Sequence, residues 1–134
     1  MHVDDQPGTA VVLRTGAAYV FTREQANWSQ RVRLQPDDRT ENLQFGTAVA
    51  LSDDGAVLAV SAIGDDSEGI ENSGAVYVFA RPDEGDYFPL SRVKANDPGT
   101  EATFGYRLGL SGDGFTLAVG APGQGGNAGA FYLY

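Results

Sequence analysis

Short apolar segments, separated by turns rich in glycine and aspartate, follow one another along the whole chain. In the segment 45–51, large side chains alternate with small ones, so that Phe45, Thr47, Val49 and Leu51 share one face. No apolar stripe of helical period extends far enough to favour a helix over a strand. The pattern predicts an all-β protein.

Two segments, 57–62 and 74–80, are apolar at positions that point to both faces of a strand. A strand with one face in water would alternate apolar and polar residues instead. We therefore expect both faces of these segments to be buried, which requires sheets that stack on one another.

The segments 28–34 and 88–95 differ, because each carries cationic side chains. Charges on an exposed edge hinder pairing with a further strand, so these segments are predicted to be outer edge strands. The protecting cations are Arg31, Arg33, Arg92 and Lys94.

The same blocks recur in a fixed order. One block, Gly-Ala followed by aromatic and branched residues, has copies at 16–21, 74–79 and 129–134. Two further pairs of blocks share one offset, and they are 45–52 with 104–111 and 58–62 with 117–121. The repeating unit is about 57 residues long, and the chain holds a little over two units.

The connections suggest how each unit folds. The short segments 52–55 and 111–114 contain Asp-Gly and predict tight hairpin turns, whereas 64–73 and 122–128 are longer loops. Four strands joined by hairpins form an antiparallel meander, and radial repetition of such sheets gives propeller-type blades.

The chain is therefore predicted to be a single repeat domain. It would consist of an N-terminal arm at 1–10, a partial blade at 11–44, a full blade at 45–103 and a partial blade at 104–134.

Composition excludes several classes of function. The chain has 134 residues and a formal charge of −9, which argues against binding to nucleic acid or to anionic membranes. It has no cysteine and one histidine, His2, so thiolate sites and histidine-based triads are not expected. No apolar run is long enough to insert into a membrane, and no secretory signal peptide is recognised.

The Phe-Gly pairs at 45–46 and 104–105, the Gly-Ala-Pro at 120–122 and the Gly-Ala-x-Tyr-Val-Phe block resemble the FG-GAP repeat. This repeat forms the blades of integrin α-subunit propellers and of many bacterial and eukaryotic surface proteins. The resemblance covers residues 11–134. It implies an extracellular or cell-surface, non-enzymatic binding or adhesion module that presents its loops to a protein or glycan partner.

Integrin-type members carry a calcium loop, Asp-x-Asp-x-Asp-Gly-x-x-Asp, between two strands of the blade. Here those positions hold only the short segments 52–55 and 111–114, so the family's calcium site is not transferred to them. The acidic loop 64–72 is the alternative metal candidate, since its carboxylates and backbone carbonyls suit Ca²⁺. A solvated loop that aids solubility is the competing interpretation. The candidate ligands are Asp65, Asp66, Glu68 and Glu71.

No catalytic site is predicted. A set of turn carboxylates could suggest a glycosidase pair, but nothing in the sequence places them across one cleft, and solvated turns are the better interpretation. These residues are Asp37, Asp38, Glu41, Asp83, Glu84 and Asp86. The glycine-rich 123–126 lacks the Lys-Ser/Thr of a phosphate-binding loop. We expect no cofactor.

Two single positions stand out. Asn27-Trp28-Ser29 forms a glycosylation sequon whose tryptophan is expected to pack. Arg107 occupies the slot of Ala48 in the other unit, and we expect it to line a central channel or to pair with a carboxylate of a neighbouring blade.

Propellers close with about four to eight blades, so this number of units leaves apolar faces uncovered. Identical chains could assemble into a ring, the chain could be an excerpt of a larger propeller, or two sheets could pack as a sandwich. We expect association, either as a homo-oligomer or with neighbouring blades. The alternative function is a non-catalytic structural or assembly module, such as a propeller fragment or an engineered repeat pair, or an accessory to a hydrolase.

Overall fold

The computed structural model describes residues 4–5, 12–13, 16–36, 42–66, 69–82 and 85–134. The elements are β1 (Asp4–Asp5), β2 (Val12–Leu13), β3 (Ala18–Glu24), β4 (Asn27–Leu34), β5 (Phe45–Leu51), β6 (Val57–Ala62), β7 (Ala75–Ala80), β8 (Phe88–Val93), β9 (Arg107–Leu110), β10 (Leu117–Ala121), α1 (Gln124–Asn127) and β11 (Ala130–Leu133). Apart from one short helical turn, every element in the described ranges is a strand, and the predicted all-β class is confirmed.

All strand pairs within the sheets are antiparallel, and the strands follow one another as meanders. The N-terminal sheet contains β3 and β4, the middle sheet contains β5 to β8, and the C-terminal sheet contains β9 to β11. A separate short hairpin joins β1 and β2. One four-stranded blade therefore lies in the chain between two incomplete ones.

The middle sheet is buried on both faces, as its sequence predicts. On one face, Leu58, Val60 and Phe79 form a core with Ala18 and Leu34 of the N-terminal sheet. On the other face, Ala59 and Val76 pack with the C-terminal sheet, whose contributing residues are Leu117, Val119 and Ala121. Three sheets stack in series, which is not the arrangement of the two-sheet sandwich considered as an alternative.

Successive blades meet at a glycine. Gly16 forms a parallel bridge with Phe45, and Gly74 forms the same bridge with Phe104. Both glycines have left-handed backbones, with φ of +86° and +88°. A Cβ at either position would overlap the carbonyl oxygen of the facing phenylalanine. The Gly-Ala block and the Phe-Gly pair thus recur together because they form the joint between blades.

An aromatic cluster accompanies each joint. The ring of Phe45 lies 5.5 Å from that of Tyr77, edge to face, and 6.2 Å from that of Phe79. The ring of Phe104 makes the equivalent contacts with Tyr132 and Tyr134, at 5.3 and 6.2 Å. Edge-to-face geometry places positive ring edges against negative ring faces, so these contacts stabilise both packed blades.

The strict alternation predicted for 45–51 is wrong in one respect. The pairing of β5 with β6 changes register after Phe45 and before Val49. The alternation of side chains between the two faces of the sheet is therefore interrupted there. Phe45 is buried, whereas Thr47, Val49 and Leu51 are exposed. The first residue of the strand belongs to the core, and the following positions alternate between half-buried and exposed along one edge of the middle sheet.

The edge-strand prediction is confirmed for both segments, because β4 and β8 each form an edge of their sheet. Two details differ from expectation. Lys94 does not protect an edge in solvent, since its side chain is only 10% exposed and is held by Asp65. Trp28, expected to pack, is largely exposed and lies beneath the guanidinium of Arg23, 5.8 Å from its Cζ.

Candidate binding surface at the ends of the blades

The turn between β5 and β6 is fixed by its own side chains. The hydroxyl of Ser52 donates to Oδ1 of Asp54 at 2.9 Å, and the same oxygen accepts the amide of Ala56 at 2.9 Å. The amide of Val57 donates to Oγ of Ser52 at 3.0 Å. The amide of Ala56, followed by the Ser52 hydroxyl, holds the pKa of Asp54 below its ordinary value.

The turn between β9 and β10 repeats this arrangement. Ser111 donates to Oδ1 of Asp113 at 2.6 Å, the amide of Phe115 donates to the same oxygen at 3.0 Å, and the amide of Thr116 donates to Oγ of Ser111 at 3.0 Å. The Ser111 hydroxyl, then the amide of Phe115, lowers the pKa of Asp113. Both segments form the tight turns predicted, with ionised carboxylates that hold the turn together.

The two turns contact each other. The amide of Asp53 donates to the carbonyl oxygen of Gly112 at 3.0 Å, and a side chain at Gly112 would overlap the Asp53 carboxylate. The hydroxyl of Tyr87 donates to the carbonyl of Gly55 at 2.6 Å, which anchors the first turn to the outer part of its sheet. These contacts position the two turns as one surface, which we call the turn end.

Phe115 is the most exposed of the large apolar side chains described in the structure, at 87%. It lies directly after the Asp113 turn, at the position that Ala56 holds in the preceding unit. Phe115 therefore follows the Asp113 turn directly, and that turn contacts the one that contains Asp53 and Asp54. Sequence reasoning missed Phe115, although its replacement of an alanine between two units is a visible signal.

The acidic loop lies at a different place in the blade, between β6 and β7. Asp65 is buried, and its carboxylate accepts from Lys94 at 3.0 Å and from Arg92 at 3.3 Å. Oδ1 of Asp66 accepts the backbone amide of Asn72 at 2.7 Å, and Glu71 is exposed.

The fourth candidate ligand, Glu68, lies outside the described residues. Within the described ranges, no group of three or more acidic or histidine side chains is assembled that could hold a metal. Asp65, moreover, already faces two cations. The calcium hypothesis, which included Glu68, stays a prediction.

Of the carboxylates considered as a glycosidase pair, only Asp86 lies within the described residues. Asp86 is exposed, consistent with a solvated turn. The other carboxylates considered as catalytic lie outside the described residues, and they are Asp37, Asp38, Glu41, Asp83 and Glu84.

Arg107 is also exposed, and its guanidinium lies over the ring of Tyr106, 5.2 Å from the centroid. No ion pair between Arg107 and a carboxylate is found in the described part of the chain. Arg107 thus makes a cation–π contact with its neighbour in sequence, and its pairing with a neighbouring blade stays a prediction. Asn27, the sequon asparagine, is exposed beside the β3–β4 turn.

A profile of the FG-GAP repeat matches residues 28–79 and 90–134, which together make up well over half of the chain. The chain belongs to the FG-GAP repeat family. Repeats of this family are generally extracellular, non-catalytic parts of binding and adhesion proteins. No curated protein matches the chain. None of the helices described is long and apolar enough to cross a lipid bilayer.

Proposed function

We propose that this FG-GAP chain is a non-enzymatic binding module whose turn end contacts a partner protein outside the cell. The observation that carries the proposal is the pair of identically braced turns, joined to each other and flanked by the exposed Phe115. Braced turns lose little conformational freedom when a partner binds, which favours affinity.

The chemistry of the turn end indicates the kind of partner. Phe115 offers the area of an aromatic anchor, and such anchors dominate the energetics of many interfaces when they enter a pocket. The same end carries the carboxylates of Asp53, Asp54 and Asp113, and the chain as a whole has a formal charge of −9. A partner surface with an apolar pocket and basic side chains around it is therefore complementary to this end.

Binding arrays of purified extracellular proteins and of glycans would test the proposal. We expect binding to one or more proteins, with affinity reduced at least tenfold by Phe115→Ser. Tyr106→Ser is the matched control, because Tyr106 is also an exposed aromatic residue but precedes β9, at the end of that strand opposite to the Asp113 turn. Binding that is lost in Tyr106→Ser and kept in Phe115→Ser would contradict the assignment, as would binding confined to glycans.

The absence of catalysis is tested separately. In the described residues no nucleophile is hydrogen-bonded to a base in a cleft. We expect no turnover of chromogenic esters, phosphates or glycosides above the rate of a heat-unfolded sample.

A further inference from the structure

The two interfaces between sheets in this chain use the same pair of faces. Each sheet has a C-side face, turned toward the sheet that follows in sequence, and an N-side face, turned toward the sheet that precedes it. The C-side face of the N-terminal sheet, with Ala18 and Leu34, packs on the N-side face of the middle sheet. The C-side face of the middle sheet, with Ala59 and Val76, packs on the N-side face of the C-terminal sheet.

The C-side face of the C-terminal sheet has no following sheet in the described chain. Phe131 and Leu133 occupy the positions that Val76 and Val78 hold in the middle sheet. There, Val76 and Val78 pack against the sheet that follows. Here they are 72% and 65% exposed. Tyr132, which alternates with them, is turned to the other face and contacts Phe104.

The N-side face of the N-terminal sheet is exposed in the same way. Phe21 and Trp28 occupy the repeat positions of Phe79, which is buried in the core between the first two sheets, and of Tyr87, which packs against that core. Phe21 is 52% exposed and Trp28 is 65% exposed. The two ends of the stack thus present opposite members of the pair of faces that is joined twice inside the chain.

We propose that these two faces bind each other between copies of the chain, so that the C-side face of one copy packs head to tail on the N-side face of the next. In both interfaces inside the chain, a C-side face packs on an N-side face. The first internal interface also shows that two strands suffice, because β3 and β4 alone supply the partner of the middle sheet. This contact is heterologous, so it joins two different surfaces: the assembly closes into a ring if the rotation between copies allows it, and otherwise keeps one free face at each end. It does not depend on the turn end.

Two double variants separate the faces. Phe131→Thr with Leu133→Thr makes the C-side face polar, and Phe21→Thr with Trp28→Thr makes the N-side face polar. Threonine keeps a high strand propensity at these positions. Circular dichroism and a cooperative thermal transition establish that each variant is folded before it is used.

Sedimentation equilibrium over a range of concentrations then measures the mass. We expect wild type to exceed the 14.1 kDa of one chain increasingly with concentration, and each double variant alone to remain at the mass of one chain. An equimolar mixture of the two variants should form a 1:1 dimer that grows no further, because each variant retains one intact face. Phe115→Ser, at the turn end, should assemble as wild type does.

Three results would overturn the proposal. Wild type could remain at 14.1 kDa at millimolar concentration. Only one of the double variants could lose association, which would indicate that like faces pair. The mixture could fail to form a dimer although both variants are folded, which would leave the exposed faces to a different kind of partner.

Discussion

Nζ of Lys94, just after β8, lies 3.0 Å from Oδ1 of the buried Asp65, in the loop after β6. The same ammonium donates to Oγ of Ser73 at 3.0 Å and to the carbonyl of Gly74 at 2.8 Å, so all three of its protons are used. Lys94 therefore ties the acidic loop and the glycine of the blade joint to the outer strand. In the first unit, Gln35 performs part of this role by donating to the carbonyl of Gly16 at 3.2 Å.

Replacing Lys94 by methionine should strongly destabilise the protein. The substitution removes the nearer and more buried of the two cations that pair with the buried Asp65, and loss of one partner of a buried pair costs about 3–5 kcal/mol. Urea unfolding followed by circular dichroism would measure this as a lower midpoint with an unchanged slope.

Arg92→Met is the matched control for that substitution. The Arg92 side chain is 36% exposed, against 10% for Lys94, so its loss should cost less than about 1 kcal/mol. Lys94→Gln should recover part of the stability, since glutamine can still donate to Gly74 as Gln35 does to Gly16. Equal losses for Lys94→Met and Arg92→Met would refute the central role of Lys94.

The glycine at the joint between the middle and C-terminal blades should not tolerate a side chain. Gly74→Ala combines a left-handed backbone, which costs about 1–2 kcal/mol for an L-residue, with overlap against the backbone of Phe104. We expect a total loss of about 3 kcal/mol or more.

Gly69→Ala separates these two contributions to the loss. Gly69 has a φ of +74°, similar to that of Gly74, but nothing lies within 4 Å of a Cβ placed there. It should therefore lose only the backbone part, about 1 kcal/mol. If thermal denaturation gave the same loss for both variants, the joint would not be closely packed.

The carboxylates of the two turns should make the stability of the fold decrease at acid pH. The pKa values of Asp54 and Asp113 are lowered in the folded state by hydrogen bonds that the unfolded chain lacks. Their contribution is thus present above the ordinary pKa and is lost as pH falls below about 4 through the lowered values. Calorimetry from neutral to acid pH should show a melting temperature that declines less steeply in Asp54→Asn with Asp113→Asn. An equally steep decline in that variant would remove these two groups as the cause.

Patterns that depend on neighbours in sequence were predictable. The apolar runs, the Asp-Gly turns and the recurrence of the Gly-Ala block indicated the strands, the hairpins and the order of the meander, because each reflects backbone geometry within a few residues. The double burial of β6 followed from its lack of alternation. The position of β8 as an edge followed from its charges.

Features that depend on residues distant in sequence were not predictable. Lys94 and Asp65 are brought together only by the fold, and a lysine in an edge segment would ordinarily lie in water. The register shift in β5 leaves no local signal in an otherwise regular alternation. Trp28 has a large apolar side chain of a kind that usually packs, and it is exposed because its sheet lies at the end of the stack.

The outer part of the C-terminal sheet should respond to alkaline pH. Burial, with a further contribution from the carboxylate of Asp97, raises the pKa of Tyr132 to about 12 from an ordinary value of 10.0, and its hydroxyl donates to Asp97 at 2.8 Å. Because only the unfolded chain ionises this phenol between pH 10 and about 12, the stability it contributes is present below pH 10 and lost across that interval. Unfolding midpoints measured across this range should fall, and they should fall less in Tyr132→Phe, which has no group to ionise. Asp97→Asn should shift the ionisation of Tyr132, followed by tyrosinate absorbance, to lower pH. A titration unchanged by Asp97→Asn would show that burial alone sets this pKa.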